Sequence, residues 1–145
     1  MTPEALAALH AAAFAGTLRP WSAAEFASLL GQPGTLLESD PAGFALGRVA
    51  GPEAELLTLA VHPAARRRGL ARRLVGAFEA RAAAAGAEEC LLEVALDNAA
   101  ACALYDRLGY REAGRRPDYY PSAAGPRVDA LLLRKQLFTA RPKNR

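Results

Sequence analysis

"AELLTLAVHPAARRRGLARRLVGAFEA", residues 54–80, is the stretch on which the fold turns. Residues 54–61 form a nearly continuous apolar run, the pattern of a β-strand covered on both faces. Leu70, Leu74 and Phe78 then recur at helical spacing with Ala71 and Val75 beside them, so a helix starts after the arginines. Gly86 suits the C′ position that closes it. "CLLEVAL" (90–96) is a second buried strand. A strand, helix and strand within about forty residues imply parallel pairing through a right-handed crossover.

Outward from this unit the punctuation is regular. On the N-terminal side, Thr2 and Pro3 open a helix over residues 3–15. In "RPWSAAEF", Ser22 and Glu25 form a capping box for a second helix reaching about Leu30. "TLLESD" and "GFALGRVAG" read as strands joined by the turn "DPAG" (40–43). On the C-terminal side, "DNAAACALYDRLGY" is a helix with Asp97 or Asn98 at its N-cap and Gly109 past its end. "YREAG" and "RVDALLLRK" are two final strands, separated by "RRPDYYPSAAGP" as a long polar, aromatic loop. The order α, α, β, β, β, α, β, α, β, β predicts an α/β fold, a mixed sheet of about six strands flanked by helices. Residues 1–138 should make one domain, with 139–145 a frayed tail.

Composition narrows the function classes. Hydrophobic residues are 52% and charged residues 23% of the 145, which is globular and not disordered. The net charge of +3 permits an anionic partner without requiring one. The sixteen arginines against two lysines are read first as compositional bias. Cys90 and Cys102 form no CxxC and the histidines are only His10 and His62, so no metal site is expected. No apolar run is long enough to cross a bilayer, and "MTPEALAALHAAAF" lacks the basic start of a signal peptide. A cytoplasmic protein away from membranes is expected, with both thiols reduced.

Five arginines, Arg66, Arg67, Arg68, Arg72 and Arg73, surround Gly69 where the first strand meets its helix. Ligands of open α/β sheets collect at the carboxyl ends of strands. A helix N-terminus offers free N–H groups and a positive dipole end, which hold phosphate well. Glycine lets the backbone approach an anion closely. Cations here oppose the helix dipole unless an anion joins them. A solvated arginine surface is the plain alternative. Nucleic-acid binding is another, but such sites interleave aromatics or spread charge over a face, and this cluster occupies one turn.

Glu93 lies inside "LLEVAL", an exception in a buried strand. Desolvation there would raise its pKa and make it a better base; an edge position facing water is the alternative. Tyr105 follows Asn98 by seven residues, on the same helix face, either as a functional hydroxyl or as core packing. Asn98 is most simply an N-cap. Tyr119 and Tyr120 either pack a substrate or pin their loop to the core, and Trp21 divides in the same way. Cys102 is expected to pack, since nothing nearby in sequence would activate it.

The run Arg66-Arg67-Arg68-Gly69-Leu70-Ala71 resembles the Arg/Gln-x-x-Gly-x-Gly/Ala signature of the GNAT N-acetyltransferases, and "LTLAVHP" is similar to the strand that leads into it. The stretch from "LEVALDNAAACALYDRLGYREAG" to "RVDALLL", with "RPWSAAEF" near the start, resembles the RimI-type subgroup, the ribosomal-protein alanine N-acetyltransferases. The resemblance implies a GNAT fold and acetyl-CoA as co-substrate. It implies acetyl-CoA contacts at Leu59, Ala60, Val61, Arg66, Arg67, Arg68, Gly69, Leu70, Ala71, Arg72 and Asn98. By the same analogy Glu93 is the general base and Tyr105 the general acid, with Trp21, Tyr119 and Tyr120 toward the acceptor.

The implied chemistry is direct attack of an amine on a thioester. Freeing an amine of its proton at neutral pH costs about 1 kcal/mol for an α-amino group and roughly 4.6 kcal/mol for lysine, so a single carboxylate suits the α-amine better. A backbone N–H near Val61 is the candidate oxyanion donor. The expected acceptor is a protein N-terminus, with a small-molecule amine or lysine as the alternative and a non-catalytic coenzyme A sensor as a second. Direct nucleic-acid binding is not expected, and the chain should be a monomer or weak homodimer. Three features depart from the family pattern. An edge strand that precedes the first helix in many relatives is expected to be missing or shortened, Ala71 replaces the commoner glycine, and His62 stands where aspartate is frequent, expected as a structural loop residue.

Overall fold

The computed structural model describes residues 1–14, 20–122 and 125–137. The expected tail 139–145 lies outside the described residues. Helix α1 (Pro3–Ala13) starts at Thr2, whose side chain accepts from the Ala5 N–H at 3.0 Å. Helix α2 (Ala23–Leu30) starts with the capping box read from the sequence: the Ser22 Oγ accepts from the Glu25 N–H, and Glu25 Oε1 accepts from the Ser22 N–H. Strands β1 (Thr35–Asp40), β2 (Gly43–Ala50) and β3 (Glu53–Val61) follow, then a 3-10 turn over Pro63–Ala65. Helix α3 (Leu70–Ala84), strand β4 (Glu89–Ala95), helix α4 (Ala99–Arg107), and strands β5 (Arg111–Ser122) and β6 (Gly125–Gln136) complete the chain.

The six strands form one mixed sheet in the order β1-β2-β3-β4-β6-β5, antiparallel except for β3 against β4. On one face, α1 and α2 bury Leu6, Leu9 and Phe26 against Phe44, Leu46 and Ala60. On the other, α3 and α4 bury Leu74, Val75, Phe78 and Tyr105 against Ala45, Leu56, Leu92 and Leu133. These two apolar layers are the main stabilising feature, each buried methylene contributing about 0.8 kcal/mol.

The apolar run of β3 has a different cause from the one read in sequence. Leu46 pairs with Thr58 but Gly47 with Leu56, so Leu57 is an extra, bulged residue. Before the bulge Ala54 and Leu56 face α3; after it Ala60 faces α1 and α2 while Leu59 and Val61 turn toward the α3 side. A bulge reverses the in-and-out parity of a strand, so both phases of β3 carry apolar side chains. Glu53 and Glu55 remain exposed.

Among the described residues of 115–126, the expected loop is strand instead. β5 and β6 pair antiparallel along their length, from Arg111 opposite Arg134 to Ser122 opposite Gly125. The Pro117 and Asp118 that argued for a loop are absorbed in a bulge: Arg116 pairs with Ala130 and Tyr120 with Val128, so three residues oppose one. Asp118 takes φ 52° there, and its N–H donates to Asp129 Oδ1 at 3.0 Å. β5 is an edge strand, where proline's missing N–H leaves no ladder partner unsatisfied.

Candidate active site

β3 and β4 run parallel but pair only at Glu53–Glu89, Ala54–Cys90 and Glu55–Leu91. Beyond that register they diverge, leaving the edge of β3 from Leu56 to Val61 without a strand partner on the β4 side. The bulge at Leu57 begins the divergence. Such an edge offers backbone N–H and C=O groups to whatever enters the cleft. Leu59 and Val61 are half-buried there, whereas the Ala60 side chain is in the core.

At the end of β3 the chain reaches α3 through two left-handed residues, Arg67 (φ 65°) and Gly69 (φ 76°). His62 is structural, as expected: its Nδ1 accepts from the Ala64 N–H at 3.1 Å and caps the 3-10 turn. Helices α1, α2 and α4 carry side-chain caps from Thr2, Ser22 and Asn98, but α3 has none. Its first internal bond runs from Arg73 N–H to Gly69 O. The N–H groups of Leu70, Ala71 and Arg72 therefore have no acceptor among the described residues. A Cβ on Gly69 would meet nothing within 4 Å, so open space lies beside these amides. Arg67, Arg68, Arg72 and Arg73 are exposed with no acidic partner among the described residues. Arg66 differs from the other arginines: its Nη2 donates to Ala13 O, at the end of α1, at 2.7 Å. The Leu70 side chain is buried in the core, leaving its amide for a ligand.

Glu93 is placed differently from the carboxylate the sequence suggested. It lies past the parallel segment, opposite Leu132 of antiparallel β6, and its side chain is 25% exposed. The full enclosure expected inside a covered strand is not what the fold supplies. Instead Glu93 has two partners on β5. Tyr120 donates its hydroxyl to Oε1 at 3.2 Å, and Arg116 Nε lies 3.4 Å from Oε2. The Tyr120 hydroxyl is pushed up to about 12, first by burial and then by the Glu93 charge, so it stays a donor. Tyr119 is exposed, meets Tyr120 edge-on at 5.1 Å, and carries the Arg116 guanidinium 5.3 Å from its ring centroid. Arg127 donates to the carbonyls of Asp118 and Tyr119 and pins the bulge. Sequence reading missed Arg116, because with 115–126 read as a loop nothing puts it beside Glu93. The two adjacent tyrosines, good strand formers, were the available signal.

Tyr105 stands apart from this group. Leu92 and Val94 point into the α3 and α4 layer with Tyr105, and strand alternation turns Glu93 to the opposite face. Tyr105 is 7% exposed and edge-on to Tyr110 at 5.6 Å. Burial raises its hydroxyl pKa, with the neighbouring Cys90 adding to the effect, so the proton is retained. No hydrogen bond to its hydroxyl occurs among the described residues. Asn98 Oδ1 accepts from the Ala101 N–H at 3.1 Å as the N-cap of α4. Trp21 belongs to an aromatic group on the α1 and α2 side, stacked on His10 at 5.3 Å and beside Phe26. Its N–H on the main chain donates to His10 Nδ1 at 3.3 Å. Cys102 packs as expected, its pKa raised by burial. No helix among the described residues is long and apolar enough to cross a membrane.

Comparison with known proteins adds four observations. The family model described as the acetyltransferase (GNAT) family matches residues 6–110. The [ribosomal protein bS18]-alanine N-acetyltransferase of Escherichia coli strain K12 is 38% identical over 118 residues, 79% of either chain. Among solved structures, the ribosomal-protein-S18-alanine N-acetyltransferase from Escherichia coli superposes with a TM-score of 0.84 at 33% identity, covering 98% of this chain and 91% of that one. Naa20 of Chaetomium thermophilum, solved with a bisubstrate analogue, shares the fold with a TM-score of 0.79 at 23% identity, over 94% of this chain and 84% of that one.

Proposed function

The chain belongs to the GNAT family of acetyltransferases, and on that premise we propose that it transfers the acetyl group of acetyl-CoA to the α-amine of a protein N-terminus, with alanine as the first residue. The single observation that carries the acceptor is the 38% identity to the bS18-alanine enzyme across four-fifths of the chain. The residues present fit coenzyme A. The start of α3, uncapped by any side chain, the open space at Gly69, and Arg67, Arg68, Arg72 and Arg73, which have no acidic partner among the described residues, suit its phosphates. The free edge of β3 at Leu59–Val61 and the Asn98 region of α4 flank the cleft that would take the rest.

When bound, acetyl-CoA supplies the thioester carbonyl; the chain supplies positioning and proton transfer. Glu93 accepts a proton from the attacking amine, directly or through water, as the N–C bond forms. A main-chain N–H at Val61 donates to the oxygen on which charge develops. Tyr105, kept protonated by burial, delivers a proton to the departing sulfur as the C–S bond breaks. Tyr120 lines the acceptor side by its contact with Glu93, and Tyr119 by its contact with Tyr120. Trp21, stacked on His10 in the α1 and α2 layer, shapes the acceptor entrance as part of that layer. Holding amine and thioester in line supplies much of the remaining rate.

Mass spectrometry of a peptide panel with acetyl-CoA tests the acceptor. One added acetyl group confined to free N-termini beginning with alanine supports the reading. Acetylation only of internal lysines or of polyamines overturns the acceptor and leaves the family. Binding of acetyl-CoA with no transfer to any acceptor would favour a sensor.

A further inference from the structure

We propose that Arg116 prevents Glu93 from holding the acceptor as its ammonium ion, so that the amine is bound in the unprotonated, reactive form near neutral pH. This rests on the reading of Glu93 as the base. A lone carboxylate beside an amine site attracts the protonated amine, which has no lone pair and cannot attack. A second cation at the same carboxylate cancels that attraction and lowers the proton affinity of the incoming amine, the device that makes amines nucleophilic beside other cations.

The geometry isolates Arg116 for this task. Its Nε is 3.4 Å from Glu93 Oε2, while Oε1 takes the Tyr120 hydroxyl. Each carboxylate oxygen retains a lone pair for the amine proton. The guanidinium is braced on its other side by the Tyr119 ring, at 5.3 Å. The remaining charges around Glu93 are largely paired with one another. Arg115 of β5 pairs with Glu112 and with Asp129 of β6, and Arg134 of β6 with Glu89 of β4. From β3, Glu55 lies opposite Leu91, two residues before Glu93. Arg111, Asp118, Tyr119 and Tyr120 are the other titratable groups of β5. Arg116 is the cation that touches the base, and it acts on the amine through the electrostatic field.

The test is the pH dependence of kcat for an alanine-starting peptide with saturating acetyl-CoA, in Arg116→Gln and Arg116→Lys, with peptide binding to the CoA-loaded enzyme measured by calorimetry. For Arg116→Gln the rising limb of kcat should move to higher pH by about one unit, a loss of about tenfold near neutrality that disappears at alkaline pH. KM should fall and the peptide should bind more tightly below neutrality, because the ammonium form is now held. Arg116→Lys should restore the wild-type profile. A loss of the same factor at every pH, or a wild-type profile in Arg116→Gln, overturns the proposal. Glu93→Gln separates the two readings: wild-type activity there removes the base itself, whereas an impaired Glu93→Gln beside an unshifted Arg116→Gln removes only the role of Arg116.

Discussion

Glu93 and Tyr105 point to opposite faces of the sheet, which makes their roles separable by substitution. Glu93→Gln removes the proton acceptor without changing shape, and the rate should drop most at low pH, where unprotonated amine is scarcest. A pH–rate profile identical to wild type would assign the base elsewhere. Tyr105→Phe deletes one hydroxyl from a buried ring that has no hydrogen bond among the described residues, so the fold should keep its stability. Turnover should fall by more than acetyl-CoA affinity, by roughly the factor of 10²–10⁴ that a positioned acid or base contributes. Unchanged turnover would make Tyr105 a packing residue.

At the scale of elements, the approach of α3 to the sheet depends on glycine. A Cβ on Gly47 of β2 would collide with the Phe78 ring on α3 and with the Glu55 carbonyl oxygen on β3. Because main chain is among the obstacles, Gly47→Ala should cost about 3 kcal/mol, read as a fall in the denaturation midpoint. Gly69 behaves in the opposite way. Its surroundings are open but its φ is 76°, so Gly69→Ala should cost only the 1–2 kcal/mol of a left-handed residue, about the value for L-amino acids generally. Gly69→Glu should also weaken acetyl-CoA binding, by bulk and by negative charge beside the free amides of α3. Unchanged affinity in an equilibrium binding measurement would take this loop out of the site.

Across the whole molecule, the layer between α3 and the sheet closes around a polar group within an apolar core. Tyr110 donates to Glu79 Oε2 and Lys135 Nζ lies 2.8 Å from Glu79 Oε1, linking α3, β6 and the start of β5. Beside them the Cys90 thiol is raised from 9.0 to about 11, first by burial. The folded protein holds that proton where the unfolded chain has released it, so the contribution is fully present below pH 9 and is lost as pH rises toward 11. Burial raises Tyr105 and Tyr110 in the same direction. Urea denaturation across this window should show stability falling with pH, and Cys90→Ala should flatten part of the slope. A slope unaffected by Cys90→Ala would place the linkage in the tyrosines alone.

The sequence by itself determined the order of the elements, because caps and periodicities are local. Thr2, the Ser22 and Glu25 pair, Asn98, Gly86 and Gly109 set helix ends through bonds or dihedrals spanning a few residues. It also determined the arginine-rich start of α3, since such a turn with Gly69 before an apolar helix is legible without knowing what surrounds it. Tertiary structure decided the rest. Whether Pro117 and Asp118 break a strand depends on β5 being an edge strand whose bulge Asp129 and Arg127 can satisfy. Whether the apolar run of β3 means two covered faces depends on one extra residue, Leu57, set by pairing with β2. The surroundings of Glu93 depend on Arg116 and Tyr120, more than twenty residues away in sequence and adjacent only once β4, β6 and β5 lie side by side. A carboxylate's chemistry is set by the charges and donors within a few ångströms, and those distances are a property of the folded sheet.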